Sequence, residues 1–197
     1  MSQDGVNKSR RTLLVGATAA VGAVGAGFVA VPFVKSWNPS EKAKAAGAPA
    51  KVDVSKIEPG AMITAEWRGK PVFIARRSEE TLALLPGLNS RLKDPENSNT
   101  AQQPEYANNI NRSRQPDLIV LEGVCTHLGC APKYFAEVKP EPFDPEWKGG
   151  FYCPCHGSRF DLSGRVFNGS PAADNLVVPP YSFDGDTLII GVDEENA

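Results

Sequence analysis

Sulfur and imidazole are scarce in this chain: 197 residues hold four cysteines, two methionines and two histidines. An excess of either charge is also missing. Twenty-one Lys and Arg stand against 23 Asp and Glu, a net charge of -2. Nucleic acid is therefore excluded as the main partner, because phosphate binding needs a basic face. Aromatic residues make up only 8%, yet 41% of residues are hydrophobic and 22% charged, so the chain can bury a core and is not disordered throughout. There is no internal repeat. The length suits one ordinary domain with appendages, not two enzyme domains. Eighteen glycines and 17 prolines are too many for a helical bundle and suit a loop-rich, mainly β domain.

Charge is wholly absent from residues 13–34, Leu13 to Val34. As a helix these residues reach roughly 33 Å at ~1.5 Å per residue, enough to cross a bilayer core. Small residues at Gly16, Ala20, Ala23 and Gly27 form a stripe that lets another helix approach closely. Just ahead, Arg10-Arg11 resembles a twin-arginine export signal. A cleaved signal has an apolar stretch of only ~7–15 residues, so this longer one reads as an uncleaved anchor. Residues 1–12 are then a cytoplasmic segment, residues 13–34 the anchor, and residues 35–51, rich in Ala, Lys, Gly and Pro, a flexible hinge.

From residue 52 to 197 the pattern is short strands between turn signals, a mainly β head. Ala61–Ala65 and Pro71–Ala75 predict a hairpin, Leu118–Leu121 a buried strand, and Thr187–Val192 a closing strand. The stretch Pro86–Pro116 is rich in Asn, Pro and Ser and shows no core pattern, so it reads as a long contact-making loop. The sequons at Asn111 and Asn168 carry no functional reading.

All four cysteines and both histidines fall within residues 125–156, as Cys125-Thr126-His127-Leu128-Gly129-Cys130 and Cys153-Pro154-Cys155-His156-Gly157-Ser158. Buried structural cysteines do not cluster this way, whereas metal and disulfide frameworks do. Three chemistries compete. A structural zinc could take two Cys and two His, leaving two cysteines for a disulfide. A dithiol at Cys153-Pro154-Cys155 would use neither histidine. A cluster with two sulfur and two nitrogen ligands employs the whole set. Gly129, Gly157 and Gly169 permit tight turns around it.

The paired motifs, the twin-arginine anchor, the Ala-rich hinge and Val178-Pro179-Pro180-Tyr181 together resemble the Rieske iron–sulfur subunit of bacterial quinol–cytochrome c oxidoreductases, the cytochrome bc complexes. The resemblance covers nearly the whole chain. It implies a β-sandwich-like base with a smaller cluster-binding subdomain inserted at about residues 118–168. It also implies one [2Fe-2S] cluster, with Cys125 and Cys153 on one iron, His127 and His156 on the other, and a disulfide between Cys130 and Cys155. Neutral imidazoles in place of two thiolates raise the potential to about -150 to +300 mV, against about -400 mV for plant-type ferredoxins. The implied partners are a cytochrome b subunit, a c-type cytochrome subunit and quinol, within a dimeric multi-subunit complex. The setting is the bacterial inner membrane, with the N-terminus cytoplasmic and the head periplasmic. One ligand histidine takes a proton as the cluster takes an electron.

Around the ligands, Ser158 matches the family serine that donates to a bridging sulfide, and Leu128 shields the cluster. Phe160 stands where higher-potential members carry a donating tyrosine, and Ala173 where the family usually repeats a proline. Two other functions are weighed. A Rieske oxygenase component needs a further iron on two histidines and a carboxylate, and no histidine remains for it. The small Rieske subunit of an arsenite oxidase is exported and disulfide-stapled too, but the long anchor and hinge favour the quinol-oxidising complex.

Overall fold

A 29-residue helix, α1 (Lys8–Ser36), holds the charge-free run from end to end. The computed structural model describes residues 7–193, which divide after Ala45 into two bodies; residues 1–6, part of the expected cytoplasmic segment, lie outside. Asn7 caps α1 by accepting from the Arg10 amide at 3.1 Å. Thr12 and Thr18 return their hydroxyls to Lys8 and Leu14 carbonyls at 3.0 and 2.8 Å, so neither is left without a partner in an apolar setting. The helix is long and apolar enough to cross a membrane, and none of its side chains is buried in the protein. A second short helix, α2 (Glu41–Ala46), occupies the expected hinge.

The first strand, β1 (Ala50–Asp53), pairs antiparallel with β9 (Thr187–Ile190). With β8 (Tyr181–Asp184) they form one three-stranded sheet. A second sheet comprises β2 (Met62–Trp67), β3 (Lys70–Arg76) and β4 (Leu118–Glu122). The β2–β3 hairpin turns on Arg68 and Gly69, both at positive φ (52° and 71°), which matches the right-handed twist of the strands it joins. Leu118, Ile119, Val120 and Leu121 are fully buried, as their unbroken apolar run requires.

A third, smaller sheet of β5 (Lys133–Phe135), β6 (Gly150–Tyr152) and β7 (Arg159–Asp161) carries the cysteine motifs on its connections. One core joins all three sheets, running through Val72, Ile74, Leu121, Phe160, Tyr181 and Ile190. Phe73 of β3 stacks on Phe151 of β6 at 5.7 Å. β4, at the start of the expected subdomain of about residues 118–168, pairs with β3 in the second sheet.

The Pro86–Pro116 expectation needs correction. The segment contains three short 3-10 helices, Leu85–Arg91, Thr100–Gln102 and Glu105–Ala107. Leu88 and Leu92 close a second core with Trp147 and Phe167, and Ala107 enters the main one. Arg112 is fully buried, its guanidinium donating to carbonyls of Gln102 and Ser163 and to Gln103 Oε1. The core contribution was hidden because it comes from isolated apolar residues and a charged side chain, which leave no periodic trace.

Candidate metal centre

Two loops leave the small sheet and close in the same way. In the first, between β4 and β5, the Cys125 amide donates to the Cys130 carbonyl at 2.8 Å and the Gly129 amide to the Cys125 carbonyl at 2.9 Å. In the second, between β6 and β7, Cys153 donates to Ser158 at 2.8 Å and Gly157 to Cys153 at 2.9 Å. Gly129 and Gly157 sit at φ 83° and 78°, a left-handed conformation that side chains resist. Each loop thus turns back on itself and presents its cysteine and histidine toward the other.

A disulfide joins Cys130 to Cys155, stapling loop to loop across 25 residues of sequence. Cys125 and Cys153 are buried free thiols. Burial pushes the Cys125 thiol up, and the neighbouring Cys153 adds to that, while the His127 amide and Ser158 hydroxyl draw it down. The His127 and His156 rings stand perpendicular, 4.8 Å apart. His127 Nδ1 is buried without a hydrogen-bond partner. Two buried free thiols and an orphaned imidazole nitrogen form a donor set that a metal cluster satisfies, so the residues fit the group. The Cys153 sulfur also lies within 4.8 Å of both disulfide sulfurs. That trio is not a three-thiolate site, because two of its members are bonded to each other.

Leu128 on the first loop is exposed, at 70%, and His156 on the second is exposed too. Phe160 is fully buried on β7 opposite Phe151. Ser158 is buried, its oxygen accepting from the Ala172 amide at 3.0 Å. A third segment, residues 170–175, packs over the two loops, and sequence reasoning missed how it is held. Thr126 Oγ1 donates to the Asp174 carbonyl at 2.6 Å, Asn175 Oδ1 accepts from the Val166 amide at 2.9 Å, and Lys93 reaches it from the long insertion. These partners lie 9 to 79 residues apart in sequence, and no local pattern signals them.

A family profile described as "Rieske [2Fe-2S] domain" matches residues 49–182. The chain belongs to the Rieske [2Fe-2S] family. A second profile, "Ubiquitinol-cytochrome C reductase Fe-S subunit TAT signal", matches residues 1–40. This Rieske chain is 54% identical to a ubiquinol-cytochrome c reductase iron-sulfur subunit of Allochromatium vinosum, covering 100% of the chain and 95% of the relative. It is 40% identical to the protein of that name from Rhodospirillum rubrum, over 96% and 94% of the two chains. A solved chain titled "Hyperthermophilic respiratory Complex III" shares 30% identity at a TM-score of 0.48, with 90% of this chain and 98% of that one covered. The export-signal match and the apolar α1 fit a membrane-anchored bacterial Rieske subunit.

Proposed function

We propose that this chain is the electron-transfer subunit of a membrane-bound quinol–cytochrome c oxidoreductase, taking one electron and one proton from quinol and passing the electron to a c-type cytochrome. The observation that carries the reading is the pair of buried free thiols, Cys125 and Cys153, on the same two loops as an imidazole nitrogen with no partner. Cys125 and Cys153 would hold one iron of a [2Fe-2S] cluster; His127, through Nδ1, and His156 would hold the other. When bound, that group supplies a one-electron acceptor whose potential is raised by its neutral imidazole ligands. His156, exposed at the tip, offers a ring nitrogen that can bond a quinol hydroxyl and take its proton. Leu128, exposed on the first loop, gives an apolar side chain that would shield the cluster. Ser158 and the His127 amide draw the Cys125 thiol pKa down, which favours the thiolate a metal takes.

The partners in this reading are a cytochrome b subunit and a c-type cytochrome subunit, in a dimeric complex of the bacterial inner membrane. The N-terminus is cytoplasmic and the head periplasmic. The relatives' names do not favour the arsenite oxidase alternative. Co-purification with haem b and haem c, rather than with a molybdenum subunit, decides between the two.

The purified protein is expected to contain iron and acid-labile sulfide in equal amounts. On reduction it should give the low average g of a nitrogen-ligated binuclear centre. Colourless, zinc-containing material overturns the assignment. Phe160→Tyr places a hydroxyl donor beside the centre and is expected to raise the midpoint potential, by the equivalent of about 0.5–1.5 kcal/mol for one hydrogen bond. A redox titration with an equal or lower midpoint counts against it. The hinge makes a separate prediction. Replacing residues 43–49 with a proline-rich run, which stops before β1, should slow quinol oxidation severalfold and leave the reduced spectrum unchanged. Undiminished turnover removes the hinge from the mechanism.

A further inference from the structure

Three sulfurs meet where the two loops are stapled. The Sγ atoms of Cys130, Cys153 and Cys155 all lie within 4.8 Å of one another. Two of them are already joined, Cys130 to Cys155, and the third belongs to a buried free thiol. A free thiol beside a disulfide is a reactive arrangement, because exchange needs only a nucleophilic sulfur close to a bonded pair. Holding both in one fold turns a bimolecular encounter into an intramolecular step. The Cys153 backbone is fixed: its amide donates to the Ser158 carbonyl at 2.8 Å and its carbonyl accepts from Gly157 at 2.9 Å. An S–S bond spans about 2.05 Å, so side-chain rotation supplies the remaining approach.

The two bonded sulfurs are not equivalent targets. Attack at Cys155 would close a small ring through Cys153-Pro154-Cys155, across one residue whose φ is locked. Disulfide geometry tolerates little such restraint. Attack at Cys130 instead links the two loops again. The new bond closes nearly the same length of chain as the present one, so chain entropy does not oppose it. The sulfur released is then that of Cys155, which is exposed and leaves into water, whereas Cys153 is buried.

We infer that in the metal-free chain Cys153 exchanges with the Cys130–Cys155 disulfide, and that ligation of Cys153 is what preserves the native pairing. The Cys153 sulfur bonds the Cys130 sulfur, the Cys130–Cys155 bond breaks, and the Cys153 proton ends on Cys155. One disulfide and two thiols stand on each side, so no oxidant or reductant is consumed. A chain that loses its metal thus turns a ligand sulfur into half of a disulfide. It cannot take the metal back until the exchange is reversed. That consequence rests on the cluster reading above, while the exchange itself rests on the three sulfurs.

The test uses the full chain, stripped of iron by a chelator in native buffer without oxygen or added thiol. Free thiols are alkylated at intervals and the disulfide is located by peptide mapping. Over the minutes to hours of uncatalysed rearrangement, the Cys130–Cys155 link should fall about threefold or more and a Cys130–Cys153 link replace it. Cys155 becomes alkylated as Cys153 is lost, and the free thiols stay at two per chain. Iron-loaded protein should retain Cys130–Cys155 throughout. Persistence of that link in stripped protein, with Cys153 alkylated, overturns the inference. So does a Cys153–Cys155 or Cys125–Cys153 product, or a falling thiol count, which marks oxidation rather than exchange. In urea several pairings should appear together; an equally broad mixture in native buffer reports unfolding and also overturns it. Cys153→Ser should keep the native link without iron, and loss of the link there assigns the attack to another thiol. Purified protein with neither iron nor sulfide sinks the cluster reading; iron-loaded protein whose pairing outlasts chelation sinks only the exchange.

Discussion

Asp161→Ala is expected to destabilise the head by about 3–5 kcal/mol, the usual cost of leaving a buried cation without its anion. Asp161 is fully buried. It accepts from the Ser163 and Arg165 amides at 2.9 and 2.8 Å and from Arg165 Nε at 2.8 Å. Arg165, also fully buried, pairs with it through Nη2 at 2.8 Å. Two further guanidinia are buried, those of Arg77 and Arg112. Burial pulls each down to about 10, and Asp161 is the foremost charge opposing that fall in both. Both therefore remain cationic at neutral pH. Alanine removes the anion they share and strands two buried amides as well, which places the loss at the upper end of that range. Chemical denaturation of purified protein measures this. A difference under 1 kcal/mol means that water or the surrounding carbonyls take over the role of the carboxylate. Asp161→Asn keeps an acceptor and should fall between wild type and alanine.

That cluster of charges also marks the limit of what the sequence disclosed. Arg77 donates to the carbonyls of Asn111, Pro116 and Leu162 and to the hydroxyls of Ser113 and Ser163. Its partners lie 34 to 86 residues away. Hydropathy assigns arginine to the surface, and only the assembled fold can supply so many oxygens to one guanidinium. The hairpin, by contrast, was legible because register is local: Ala65 faces Val72 across a two-residue turn. So was β4, whose four apolar residues admit no exposed face. The closing strand ends at Ile190, short of the expected Val192, because the Gly191 amide turns away to the Pro180 carbonyl at 2.7 Å.

The two motifs were legible for a different reason. Each places its donors within a single tight loop, so short spacing carries the chemistry directly. What spacing could not show is the covering segment. Ser158, Thr126 and Lys93 reach it from three different stretches of chain. The family resemblance marked Ala173 as standing where a proline is usual; the structure ties the segment down through side chains that arrive from elsewhere.

The disulfide allows a sharper experiment than its removal alone. A crosslink closing 25 residues restricts the unfolded chain by about 3.5 kcal/mol, so Cys130→Ser with Cys155→Ser together should lose most of that amount. Single variants should do worse at the metal centre, although they change less of the protein. With both disulfide sulfurs within 4.8 Å of the Cys153 sulfur, removing one leaves its former partner as a free thiol beside a candidate ligand. In an oxidising compartment those two thiols can join, the electrons passing to the compartment's oxidant. Cys155→Ser should then trap Cys130 with Cys153 and leave one thiolate too few for the cluster. Iron content per chain is expected to rank wild type first, the double variant next and Cys155→Ser last, with peptide mapping recovering the Cys130–Cys153 link. Equal iron in the single and double variants, with Cys153 recovered as a free thiol, shows that loop geometry rather than competition for sulfur governs whether the cluster is kept.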